Sequence, residues 1–154
     1  MDIPAFSDQP GSQADPPGGV RSSDEARLYG QGLAFPPQVT AAGQLAWSSG
    51  PQNVRECLQI LLLTQPGERL RSPDFGAGLD EFLFEPNTVS THTQLESRIR
   101  QAIERWEPRV SLQAVEASAD PDDPQAAVVA LTYRLIATGG SERVQLQVPL
   151  GGGR

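Results

Sequence analysis

Trp106-Glu107-Pro108-Arg109 is the stretch that most restricts the fold, because the chain cannot pass through it without changing secondary structure. Upstream, Leu95, Ile99, Ala102, Ile103 and Trp106 recur with the spacing of one buried helical face. Pro108 lacks the amide a helix needs and pushes Glu107 toward extended geometry, so the helix must end there. Downstream, Val110, Leu112 and Ala114 alternate with Ser111 and Gln113, the period of a half-buried strand. The turn therefore sets a carboxylate and a guanidinium on either side of a locked proline, to be presented to each other or to a partner.

With 154 residues the chain has room for one domain and a single modest core. A net charge of -7 disfavours nucleic acid or an anionic membrane surface as partner. No apolar run approaches the length of a membrane span. Asp2, Pro4 and Asp8 interrupt any signal-peptide core at the start of the sequence. Every cation is an arginine, whose planar fork suits carboxylate pairs. Cys57 has no second cysteine to pair with, which fits a reducing compartment, and its place on an apolar stripe predicts a buried small hydrophobe.

Residues 1–28 read as a proline- and glycine-rich extension without apolar periodicity. The folded domain is expected over 29–150, with 151–154 a flexible end. Within the domain, Tyr29 to Pro37 is a glycine-rich entry into a short extended piece, without the lysine or spacing of a phosphate loop. Leu45-Ala46-Trp47 reads as a short strand. Ser49, Gly50 and Pro51 then open a helix over about 51–63, with Val54, Cys57, Leu58, Leu61 and Leu62 on one stripe. Leu79, Phe82, Leu83 and Phe84 make an apolar helical turn, and Thr93 with Glu96 forms a capping box for a second helix over about 92–106.

Three strands follow, over about 109–117, 126–137 and 142–150. The hairpin between the last two turns at Thr138-Gly139-Gly140-Ser141. In the last strand Val144, Leu146 and Val148 point inward, and Arg143, Gln145 and Gln147 outward. Nothing follows to cover its outer edge except Gly151-Gly152-Gly153-Arg154. Such an edge invites aggregation unless another chain pairs with it. The expected class is α+β: two main helices on a C-terminal antiparallel three-stranded sheet, with a short N-terminal extended segment.

Catalysis has thin material here. His92 is the sole histidine and falls at a helix start, and one histidine with one cysteine makes no conventional metal set. No cofactor is called for. The remaining enzymatic reading is a lysozyme-like peptidoglycan hydrolase with Glu68 or Glu85 as acid. Arg69 and Arg71 flank Glu68 and favour its charged form, so Glu68, Arg69, Arg71 and Asp74 are expected to form structural ion pairs.

Four segments come in the order of one domain: Thr64-Gln65-Pro66-Gly67-Glu68-Arg69, Arg71-Ser72-Pro73-Asp74-Phe75-Gly76, Leu83-Phe84-Glu85-Pro86 and Trp106-Glu107-Pro108-Arg109. In these the chain resembles the phage baseplate assembly protein W family of contractile tails, type VI secretion baseplates and extracellular injection systems. The resemblance runs from about Gly30 to Leu150. It implies a structural, non-enzymatic sheath initiator that assembles in the cytoplasm and ends in the particle's baseplate. It implies that Glu107, Pro108 and Arg109 contact a bundle of larger wedge proteins. It also implies that the strand of Val144, Gln145, Leu146, Gln147 and Val148 receives sheath subunits. The N-terminal extension departs from the short phage pattern and is expected to touch inner-tube or hub proteins.

Overall fold

The computed structural model describes residues 27–151. All but the last two residues of the expected N-terminal extension, and residues 152–154 of the C-terminus, lie outside the described residues. Strand β1 (Gln31–Leu33) pairs antiparallel with β2 (Trp47–Ser49), and helix α1 (Gly50–Leu63) follows at once. A 3₁₀ helix (Leu79–Phe84) and helix α2 (Val89–Trp106) come next. The strands β3 (Val110–Ala119), β4 (Ala126–Leu135) and β5 (Ser141–Pro149) then form an antiparallel meander in that order. This is the α+β class read from the periodicity.

The stripes bury as their spacing dictates. Val54, Leu58, Leu61 and Leu62 of α1 and Leu95, Ile99, Ala102 and Ile103 of α2 meet one sheet face in a single core. The sheet contributes Val129, Leu131, Tyr133 and Leu135 from β4 and Val144, Leu146 and Val148 from β5. The 3₁₀ helix adds Leu79 and Phe82. Cys57 differs from expectation: it is only partly buried, at the border of the α1 stripe.

Several local readings need correction. Helix α2 begins at Val89 instead of 92, because Thr88 is the N-cap and its side chain accepts from the Thr91 N–H. Thr93 therefore lies inside the helix, donating to the Val89 carbonyl at 3.0 Å, and Glu96 is released from any capping box. The alternation predicted for β3 holds through Leu112 and then slips. A bulge between Leu112 and Ala114 inserts one extra residue, so Val115 and not Ala114 returns to the core. The bends at either end of β4 also come earlier or later than read. Ile136 lies beyond the strand and is exposed, and β3 runs on to Ala119.

Candidate functional site

The charged turn closes on itself. Glu107 ends α2, its N–H donating to the Ile103 carbonyl. Its side chain is only 5% exposed and needs a partner, since an unpaired buried carboxylate is costly. Arg109 supplies one two residues away, on the far side of Pro108. Its Nε donates to Glu107 Oε1 at 2.6 Å and its Nη2 to Oε2 at 2.5 Å, a two-pronged charge-assisted pair. Its Nη1 reaches the Tyr29 carbonyl at 2.7 Å and Asn53 Oδ1 at 3.0 Å. The Glu107 hydrogen bonds hold the guanidinium still more firmly protonated than usual. Arg109 thus ties the α2–β3 turn to α1 and to the segment entering β1, and 29% of its side chain remains exposed.

Asn53 extends the joint. Its Nδ2 donates to the buried Ser48 Oγ of β2 at 3.1 Å. Ser48 pairs with Gly32 across the ribbon. A side chain at position 32 would begin 2.8 Å from that same Asn53 nitrogen, so only glycine lets β1 lie against α1 here. Tyr29 is held at both ends: Arg109 takes its carbonyl, and its buried ring places the hydroxyl 2.6 Å from Thr138 Oγ1 in the β4–β5 turn.

The second candidate site is the edge of β5. The Leu150 N–H donates to the Gln125 carbonyl and the Leu135 N–H to the Gly140 carbonyl. With the β4–β5 register, this assigns the ladder bonds of β5 to Glu142, Val144, Leu146 and Val148. The N–H groups of Ser141, Arg143, Gln145 and Gln147 therefore point away from the sheet, and among the described residues none of the four has a partner. Pro149 follows in the same phase with no N–H to offer. On the opposite edge, Glu96 of α2 accepts one outward N–H of β3, that of Ala117, at 2.8 Å. Underneath the open edge, Glu142 accepts from the buried Tyr133 hydroxyl at 2.8 Å and pairs with Arg55 of α1 at 3.4 Å.

The family pattern of the baseplate wedge protein gp25 matches residues 48–140, more than half of the chain, a span that holds the Glu107–Arg109 turn and ends just before β5. The chain belongs to the baseplate wedge protein gp25 family. It is 29% identical over 102 residues to the baseplate wedge protein gp25 of Enterobacteria phage T4, spanning 66% of this chain and 76% of that one. A subunit of the anti-feeding prophage baseplate superposes with a TM-score of 0.68 at 29% identity, covering 73% of this chain and 90% of its own. A Geobacter sulfurreducens protein provisionally assigned as a tail lysozyme superposes with a TM-score of 0.62 at 28% identity, covering 70% and 96% respectively. Membership of the gp25 family makes the chain a baseplate component of a contractile tail-like system. Among the described residues no helix is long and apolar enough to cross a membrane.

The acidic residues raised by the hydrolase reading are not gathered into a cleft. Glu68 and Glu85 are both exposed. Glu68 accepts the Gln65 N–H at 2.9 Å within its own turn. The expected ion pairs take a different form. Among the described residues, Glu68, Arg69 and Arg71 make no salt bridge, and Asp74 pairs with Arg105 of α2 at 3.1 Å. Arg69 instead lies 3.7 Å over the Phe75 ring, which meets Trp106 edge-on at 5.4 Å. The loop after α1 is thus fastened by an aromatic ring to the turn that Arg109 secures. His92, near the start of α2 as expected, has its Nε2 2.6 Å from Asn87 Oδ1.

Sequence reasoning missed Tyr29 and Asn53. The only local sign of Asn53 was a polar residue in the first turns of an apolar helix. Tyr29 had no sign beyond an isolated aromatic next to a glycine.

Proposed function

We propose that this gp25-family chain is a structural joint. One side, centred on Glu107, Pro108 and Arg109, meets the larger wedge subunits, and the β5 edge starts sheath polymerisation by accepting a strand from a sheath subunit. The observation that carries the second half is the β5 edge itself, which leaves four outward main-chain donors unspent among the described residues. Strand addition uses such groups directly, and outward Arg143, Gln145 and Gln147 give it a polar face to read. Assembly in the cytoplasm and a contact between the N-terminal extension and inner-tube or hub proteins belong to the same reading.

Removing β5 would be a poor test, since Val144, Leu146 and Val148 leave the core with it. Gln145→Pro is better. It deletes an outward N–H and no ladder bond, a position where an edge strand tolerates proline. The chain carrying it should fold and still co-purify with wedge subunits, yet give baseplates without sheath under the electron microscope. Normal sheath on Gln145→Pro baseplates would sink the strand-addition proposal. The tail-lysozyme assignment of the Geobacter protein raises a hydrolase as the rival. Exposed Glu68 and Glu85 lack the water-excluding pocket in which a general acid works, so the proposed role is non-enzymatic. Clearing of a cell-wall suspension by the purified chain, lost in Glu68→Gln or Glu85→Gln, would overturn that.

A further inference from the structure

The two ends of α2 each carry bare apolar side chains, set among charges of opposite sign. At the C-terminal end, the Gly67 N–H donates to the Pro73 carbonyl at 2.6 Å and closes residues 68–72 into a tip. Leu70 stands there 98% exposed, between Arg69 and Arg71. The acids beside it are already engaged: Glu68 accepts the Gln65 N–H, and Asp74 pairs with Arg105. Arg69 lies over Phe75, and Phe75 meets Trp106, so the tip is held against the last turn of α2. At the N-terminal end, Phe84 is 91% and Val89 80% exposed, on either side of the Pro86–Asn87 turn. The Asn87 amide donates to the Pro124 and Ala126 carbonyls, which draws the acidic β3–β4 loop to the same turn. Glu85, Asp122 and Asp123 are exposed there, and among the described residues none of them pairs with an arginine.

We infer that these ends are the two halves of one contact between copies of this chain. The Arg69-Leu70-Arg71 tip of one copy docks on the Phe84–Val89 patch of the next, with its arginines on Glu85 and the β3–β4 loop. A bare leucine between two arginine forks is complementary to an apolar patch ringed by carboxylates, and this chain carries both surfaces. Neither end can meet its own like. Two tips face to face would oppose arginines, and two acidic ends would oppose carboxylates. Helix α2 holds the two patches apart over 18 residues, about 27 Å. One copy therefore cannot satisfy itself, and the contact is head-to-tail. Each added copy brings one fresh tip and one fresh acidic end, so growth does not stop at a dimer.

Both surfaces are small, so the free chain associates weakly, in the range of about 0.1–1 mM. Copies held close together on a larger body would join more readily, because their effective concentration is raised. The inference needs neither the wedge contact nor the sheath contact proposed above.

The test uses the full chain carrying Cys57→Ala, Leu70→Cys and Val89→Cys, mildly oxidised at about 0.1 mM protein. Leu70 and Val89 are both exposed, so neither change touches the core. Cys57→Ser replaces Cys57→Ala if the circular dichroism spectrum alters. The inference expects a ladder of disulfide-linked dimers, trimers and longer chains on a non-reducing gel, since each link uses one end of each copy. Variants with only one of the two new cysteines should stop at dimers and form them roughly tenfold more slowly. Adding Arg71→Glu, or about 0.5 M salt, should slow the ladder roughly tenfold, because the facing charges are reversed or screened. A ladder no faster than the single-cysteine controls, or one indifferent to both Arg71→Glu and salt, would overturn the inference. Growth that ends at a doubly linked dimer would overturn it too, showing that two copies lie side by side instead of head to tail.

Discussion

The α2–β3 turn and the β5 edge were the two places where the sequence pointed outward, and the structure treats them in opposite ways. The turn has spent its charges at home: Glu107 is enclosed by Arg109, and Arg109 by Glu107, Tyr29 and Asn53. The edge has kept its main-chain donors free along Ser141 to Gln147. A conspicuous charge is therefore not in itself an available one. What a partner can use is decided by where each donor already points. By that measure the turn acts as a rigid support, while the edge is ready to bond as it stands.

The sharpest way to break this contrast is Arg109→Ala. It leaves a buried Glu107 carboxylate unpaired and should cost about 3 kcal/mol of stability, read as a shift in the urea midpoint. Arg109→Lys should recover little, since an ammonium cannot span both carboxylate oxygens and Asn53. If Arg109→Ala instead leaves stability intact and loses only wedge binding, the turn is an outward site after all.

Smaller effects sharpen the picture of the edge. Burial and the facing Glu142 push the Tyr133 hydroxyl above its ordinary 10.0. The unfolded chain can release that proton near pH 10 while the folded one resists, so stability present below about pH 10 is lost as pH rises above it. Denaturation midpoints followed through this range should fall more steeply for the wild type than for Tyr133→Phe. Parallel slopes would mean that the bond to Glu142 does not brace the hairpin. Glu96→Ala should cost about 1 kcal/mol by freeing the Ala117 N–H, and should raise self-association measured by light scattering. Unchanged scattering would show that Glu96 does not protect the β3 edge. Gln145→Pro should have the least effect on stability, with Leu146→Pro, which breaks a ladder bond, unfolding the chain beside it.

Much of the fold could be read in advance because its signals are local. Helical spacing fixed the faces of α1 and α2, alternation fixed which residues of β5 are buried, and Pro108 marked the switch between helix and strand. The misses came where two remote segments decide the outcome. Thr88 and Thr93 are equal candidates for a cap until the Pro86–Asn87 turn chooses, and nothing in Leu112-Gln113-Ala114 announces a bulge that only β4 requires. The internal closure of Arg109 was invisible for the same reason, since two of its acceptors lie on segments far away in the chain.

Asn53 carries a consequence of its own. A carboxamide has a direction: its nitrogen must face Ser48 and its oxygen Arg109, and turning the group over sets donor against donor on one side. Aspartate could greet the arginine but would have nothing to give the ribbon, and leucine would answer neither. The angle at which the ribbon stands off the domain is thus written in the orientation of one amide. Positions 32, 48, 53 and 109 are free to change only as a set.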